Sequence, residues 1–145
     1  MCQRTKWKFD RPAPALHPIP VSDIQLHIND NHWVISCRIG REVAVYDSRF
    51  TGSDLSSSLT HQLASIYRPL VIREEDGEEV DPHLLVYVPP VQQQIGKDDC
   101  GAFAIAFAVH LLLGEKLEEV EFDQSQMRQH LLICFKERRF SAFPT

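Results

Sequence analysis

The stretch Gln92-Gln93-Gln94-Ile95-Gly96-Lys97-Asp98-Asp99-Cys100-Gly101, followed at once by Ala102-Phe103-Ala104-Ile105-Ala106-Phe107-Ala108, decides the reading of this chain. It sets a cysteine at the junction of a polar, glycine-containing loop and a strongly apolar helix. Residues Gly101 to Leu113 are apolar on nearly every face, which marks a buried helix, and Gly114 is placed to end it. A thiol at a helix N-terminus feels the positive end of the macrodipole and unsatisfied N–H groups. Both favour thiolate over thiol, and thiolate is the nucleophile.

Upstream of this junction lie short strands. Ile24, Leu26 and Ile28 alternate with polar residues and predict a half-buried strand, and Asn29-Asp30-Asn31 is a turn signal. His32 to Arg38 reads as a second strand, Ile39-Gly40-Arg41 as a turn and Glu42 to Tyr46 as a third strand. If Gly40 centres this hairpin, His32 faces the neighbourhood of Asp47 and Ser48. Opposed side chains sit within about 5 Å, Cβ to Cβ, which is hydrogen-bonding reach for imidazole and carboxylate. Asp47 can then orient His32 and stabilise its imidazolium, and His32 can serve Cys100 as base and the leaving group as acid. Gln94, six residues before Cys100, can donate its side-chain amide to a developing oxyanion together with backbone N–H near Cys100.

Composition fits this reading. The 145 residues suffice for one domain with a core, 43% are apolar and 24% charged, and the net charge is −5. No basic stripe is present, which argues against nucleic-acid binding. Cys2, Cys37, Cys100 and Cys134 have no CxxC pairing, and they read as reduced thiols of an intracellular protein, nuclear or cytoplasmic. The N-terminus lacks the apolar region of a signal peptide, and the apolar run Ala102 to Leu113 is too short to span a bilayer, so no membrane role is expected. The histidines show no metal-like spacing, so no zinc site is expected.

The remaining segments read as scaffold. Pro12, Pro14, Pro18 and Pro20 mark an extended N-terminal arm. Leu55, Leu59, Leu63 and Ile66 predict a helix over 54–67 with Ser53 as N-cap, and Glu74-Glu75-Asp76-Gly77-Glu78-Glu79 is read as an acidic turn, most simply a solvated loop. Leu84, Val86 and Val88 predict a strand ended by Pro89-Pro90. Asp123-x-x-Gln126 resembles a capping box opening a last helix with Met127, Leu131, Cys134 and Phe135 on one side. Cys37 and Cys134 are expected in the core, Cys2 as an exposed terminal thiol, and Asp99 as a helix cap. Gln92 and Gln93 are read as extending the strand or loop. Strands mixed with helices, without βαβ alternation, give an α+β domain with a small mixed sheet and a central helix bearing Cys100 at its N-terminus.

The runs His32-Trp33-Val34, Val45-Tyr46-Asp47-Ser48 and Gln94-x-x-x-x-Asp99-Cys100-Gly101-x-Phe103-Ala104 resemble the ubiquitin-like-protein protease family, the SUMO and sentrin proteases, distantly similar to the adenoviral protease. The order His, Asp, Gln, Cys matches that family and differs from papain. Phe122-Asp123-Gln124-x-x-Met127-Arg128-x-His130-Leu131 is similar to versions of the domain carried by mobile genetic elements. The resemblance covers roughly residues 22–143, so 22–145 is read as the catalytic domain and 1–21 as the arm. Family members usually carry Asn-Gly-x-Asp before Cys-Gly; here Gly96 stands one place early. The family domain also has a further helical portion before the His strand, so the resemblance implies a domain short at its N-terminus.

The resemblance implies a thiol peptidase acting after the Gly-Gly tail of a ubiquitin-like modifier, on a precursor or an isopeptide. It implies His32 as base, Asp47 as its orienter, Cys100 as nucleophile, Gln94 as oxyanion donor and Trp33 as the roof of a tunnel passing only glycine. No cofactor is expected, and the expected partner is a ubiquitin-like protein or its conjugate. Two alternatives stand beside it: a degenerate module that binds a ubiquitin-like protein without cleaving it, and a protease that processes a mobile element's own polyprotein.

Overall fold

The computed structural model describes residues 3–8, 24–52 and 54–145. Strands β1 (Gln3–Lys8), β2 (Gln25–Asn29), β3 (His32–Ile39) and β4 (Glu42–Tyr46) are followed by helix α1 (Ser57–Ile66), strands β5 (Ile72–Glu75) and β6 (Glu78–Val88), and helices α2 (Cys100–Leu112) and α3 (Gln124–Glu137). Three two-residue turns lay out the sheet. Asp30 and Asn31 have φ of 49° and 61°, the pair of left-handed residues that a type I′ turn requires, and they close β2 onto β3 immediately before His32. Gly40, at φ 63°, begins the turn between β3 and β4. Ile39 pairs with Glu42 and Ile35 with Tyr46, so the register lies one residue away from a hairpin centred on Gly40. Asp76 and Gly77, at φ 52° and 80°, join β5 to β6.

That last turn corrects the sequence reading. The acidic run does turn, at Asp76-Gly77, but as the tip of a hairpin rather than a solvated loop, with Glu74 opposite Glu79 and Glu75 opposite Glu78. Its strands carry charge on both faces and so show no apolar alternation; Asp76-Gly77 was the usable signal. β6 runs on to pair in parallel with β4 (Val43 with Val86, Ala44 with Tyr87) and antiparallel with β1. The sheet is therefore mixed, in the order β1-β6-β4-β3-β2, with β5 hydrogen-bonded to β6. Of the N-terminal arm, residues 3–8 form a sheet strand; the proline stretch, Cys2 and Ser53 lie outside the described residues. Helix α1 starts later than expected, with Ser56 as N-cap, its Oγ accepting the Leu59 N–H at 3.2 Å.

Both faces of the central strands are covered. On one face Val34, Val43, Val45, Leu84, Val86 and Val88 pack against Leu59 and Leu63 of α1. On the other, Ile35, Cys37, Ala44 and Tyr46 pack against α2, whose Phe103 and Phe107 are fully buried, with Phe122, Met127 and Phe143 beyond. Each such aromatic contributes about 1.5–3 kcal/mol through burial. A helix enclosed on nearly all sides is what its uniformly apolar sequence requires. It ends in a Schellman motif: Gly114, at φ 80°, donates to Leu111 O, and Glu115 N to His110 O, each at 3.0 Å.

β2 departs from its expected polarity. Leu26 and Ile28 are about half exposed, while His27 between them is buried. Its Nδ1 donates to Gln62 Oε1 at 3.0 Å, and its Nε2 then accepts from Ser36 Oγ at 2.6 Å. The polar residue is satisfied under α1, and the apolar pair is turned outward. In α3, Met127 and Cys134 are buried but Phe135 is exposed, so the expected apolar side is only half used.

Candidate active site

His32 opens β3 directly after the Asp30-Asn31 turn, and Asp47 follows the last residue of β4. Continuing the register sets Asp47 level with Val34, so it reaches His32 along the diagonal. His32 Nε2 donates to Asp47 Oδ1 at 2.5 Å, and Arg49 N donates to the same oxygen at 2.8 Å. The two side chains are 14% and 10% exposed, so the pair sits where a carboxylate acts strongly on an imidazole. The hydrogen bond donated to Asp47 raises the His32 pKa above its ordinary value; burial opposes this, and the charges of Asp47 and Cys100 add to it. The other ring nitrogen, Nδ1, is buried and has no hydrogen-bond partner among the described residues.

Cys100 is the first residue of α2 and is 7% exposed. Burial by itself pushes its thiol up. The Trp33 backbone, the His32 ring and the Gly101 backbone outweigh that effect and hold the thiol below an ordinary cysteine. Acidic thiol and basic imidazole are thus adjacent and mutually reinforcing. Trp33 lies over the same point: its Cδ1 is 3.6 Å from where a Cβ on Gly101 would stand, and the indole is partly exposed. Trp33, Cys100 and Gly101 line a cleft of about 840 Å³ together with Leu26, Leu132 and Phe135.

Gln94 is tied to the residue after Asp47. Its N–H donates to Ser48 O at 2.7 Å, and Ser48 Oγ donates to Gln94 Oε1 at 2.7 Å. With the amide oxygen so held, Nε2 is oriented; one of its two hydrogens goes to Gly96 O at 3.1 Å. Gln93 adds a second stitch, donating to Asp47 O at 3.0 Å and accepting Phe50 N–H at 2.8 Å. The loop before Cys100 is therefore bound to the strand end that carries Asp47. The sequence names Ser48 and Gln93 but points to no site role for either, since nothing local shows that they bind the segment of the other.

Two helix-cap readings change. Asp99 stands at the N-cap of α2 but makes no capping bond. Its carboxylate instead accepts Gln124 Nε2 at 2.7 Å and Arg128 Nε at 2.5 Å, and the Gln124 bond leads in holding its pKa below the usual range. Asp123 does cap α3 through Ser125 N, at 3.1 Å. Gln126 does not complete a capping box: it donates to the Asp123 carboxylate, while Asp123 N–H donates to Pro144 O. Among the described residues no cluster of three His, Cys, Asp or Glu side chains could hold a metal, and no helix is long and apolar enough to cross a membrane.

Residues 11–140 match the model of the Ulp1 protease family, C-terminal catalytic domain. No curated protein matches the chain. Among solved structures the fold is similar to one described as SUMO protease Ulp1 with the catalytic cysteine oxidized to a sulfenic acid. The TM-score is 0.56 at 16% sequence identity, covering 79% of this chain and 52% of that one. The chain thus spans about half the length of the structure it matches.

Proposed function

The chain belongs to the Ulp1 protease family, a family of cysteine peptidases, and from that premise we propose that it cleaves after the Gly-Gly tail of a ubiquitin-like protein. The observation that carries this reading is the His32–Asp47 hydrogen bond set beside a Cys100 thiol of lowered pKa. In the proposed reaction, Cys100 Sγ, as thiolate, attacks the carbonyl carbon of the terminal glycine. The C=O electron pair moves to oxygen. The free hydrogen on Gln94 Nε2 and backbone N–H at the α2 N-terminus stabilise that oxyanion. The imidazolium of His32 protonates the leaving nitrogen, the C–N bond breaks, and a thioester remains on Cys100. His32, now neutral, takes a proton from water, which attacks the thioester and releases a glycine carboxylate and the thiol.

Asp47 keeps the ring oriented and the imidazolium charged through this cycle. The orphaned Nδ1 is the ring atom free to exchange a proton with sulfur, because Nε2 is engaged by Asp47. Trp33 supports the choice of glycine. Its indole lies in van der Waals reach of Gly101 on the cleft that Cys100 also lines, where a glycine tail would meet it at the least steric cost.

The test is cleavage of ubiquitin-like precursors carrying a C-terminal extension, with product masses read directly. The proposal expects a product ending at the second glycine and no product from Cys100→Ala. Cleavage that persists in Cys100→Ala, or that falls at other residues, overturns it.

A further inference from the structure

The loop joining Gln94 to Cys100 has a demanding task under the reading above. It must hold the Gln94 amide and the α2 N-terminus at one fixed separation, because both address the same oxygen atom. Yet Ile95, Gly96, Lys97 and Asp98 are exposed, and Ile95 is 83% exposed. Exposed in this way they gain little from apolar burial, and Gly96 at φ 77° adds a conformationally permissive joint.

Side chains from α3 supply what packing does not. Gln124 grips the Ile95 peptide on both sides: Ile95 N donates to Gln124 Oε1, and Gln124 Nε2 donates to Ile95 O, each at 2.8 Å. The same Nε2 reaches Asp99 Oδ2 at 2.7 Å. Arg128, one turn further along the same helix face, donates from Nε to Asp99 Oδ1 at 2.5 Å and from Nη2 to Asp98 O at 2.7 Å. The arrangement is reciprocal. Gln92, from the loop's own chain, accepts Phe122 N–H at 2.6 Å and donates to Phe122 O at 3.0 Å. Each segment lends one glutamine to the backbone of the other. α3 is itself fixed, since Met127 and Cys134 are buried and Asp123 N–H is bonded to Pro144 O.

We propose that Gln124 and Arg128 are positioning residues that set the oxyanion geometry between Gln94 and Cys100. The inference rests on the peptidase reading for its chemistry and on these hydrogen bonds for its residues. It absorbs the Gln124-x-x-x-Arg128 portion of the C-terminal motif. A purely stabilising role suits the pair poorly, because the Arg128 side chain is 65% exposed and such an ion pair adds little to folding. The thiolate–imidazolium pair is built from β3, Asp47 and the start of α2, so loosening the loop leaves thiol reactivity in place and misaligns the oxyanion donors.

The experiment uses the full chain with Gln124→Ala, Arg128→Ala and Arg128→Lys, and two probes. Iodoacetamide alkylation of Cys100 against pH reports the thiolate alone. Reversible binding of a short peptide aldehyde ending in glycinal reports the oxyanion donors, since Sγ adds to the carbonyl and forms a tetrahedral hemithioacetal. Gln124→Ala is expected to weaken aldehyde binding about tenfold and to lower kcat on cleavable substrate about a hundredfold, with KM little changed. Alkylation rate and its pH profile stay within about twofold of wild type, as does the midpoint of unfolding. Arg128→Lys keeps the charge without the planar fork and recovers only part of the loss. Unchanged aldehyde binding in Gln124→Ala overturns the inference, and so does a parallel fall of alkylation and aldehyde binding. A wild-type chain that fails to bind the aldehyde removes the oxyanion pocket and the inference with it. Wild-type binding of the aldehyde without cleavage of any ubiquitin-like precursor overturns the substrate reading alone, and the aldehyde ratios still decide the positioning roles.

Discussion

Asp47→Asn isolates the charge of Asp47 from its geometry. Both His32 Nε2 and Arg49 N donate to one oxygen, Oδ1, and an asparagine oxygen can accept both. The substitution keeps the hydrogen bonds and removes the negative charge. At a charge separation of about 4 Å and an effective dielectric near 20, that charge stabilises the imidazolium by about 4 kcal/mol as an upper figure. Allowing for the partial exposure of the pair, a loss of about 2–4 kcal/mol corresponds to roughly thirty- to a thousandfold in kcat/KM. The pH behaviour follows from the directions of the shifts. The reactive ion pair exists above the lowered pKa of Cys100 and below the raised pKa of His32. Removing the Asp47 charge lets the His32 pKa fall, so the window narrows from its upper side. The assay is the iodoacetamide alkylation rate against pH, beside the ultraviolet absorbance of the thiolate. Stability carries the same signature. A raised histidine pKa contributes stability that is full below the unfolded value of about 6.5 and is lost as pH rises through the folded value. The difference in Tm between wild type and Asp47→Asn is therefore largest in weak acid and shrinks above the folded His32 pKa. An alkylation profile identical in the two proteins would refute the electrostatic role given to Asp47.

Three further outcomes are expected. Trp33→Ala uncovers Gly101, so peptidyl substrates with alanine in place of the penultimate glycine should gain about tenfold relative to Gly-Gly substrates; competition between the two, read by mass, checks this. Gly96→Ala meets no atom within 4 Å, so its cost of about 1–2 kcal/mol comes from φ 77° alone. Urea unfolding should show that loss, and Gly96→Asn should show less of it. Phe103→Ala empties a fully buried position between the sheet and Phe122, and urea unfolding should read a loss of about 3–5 kcal/mol.

Legibility in the sequence followed the strength of local signals. The buried helix, its stop at Gly114 and the Asn29-Asp30-Asn31 turn were readable because each rests on a run of apolar residues or on conformations few residues adopt. Leu26 and Ile28 misled because alternation shows that a strand has two faces and not which one is covered. His27, with Ser36 and Gln62 to satisfy it, took the inner side. The β5–β6 hairpin escaped because its strands are acidic on both faces. The role of Asp99 escaped for a different reason. A carboxylate before an apolar helix has the local pattern of a cap, while Gln124 and Arg128, which claim it, arrive from 25 and 29 residues away. The candidate site residues His32, Asp47, Gln94 and Cys100 were readable in order along the chain, but the glutamine frame around them is purely tertiary.

The central claim is that Cys100 is a nucleophile at the end of a passage for a glycine tail. Its most direct test is capture of the chain by a panel of ubiquitin-like proteins bearing a C-terminal glycine vinyl sulfone, with the modified residue located by peptide mapping. The account predicts one covalent adduct, on Cys100, absent from Cys100→Ala and slowed in Asp47→Asn. An adduct on Cys37 or Cys134, or no adduct with a folded chain whose Cys100 reacts freely with iodoacetamide, would contradict it.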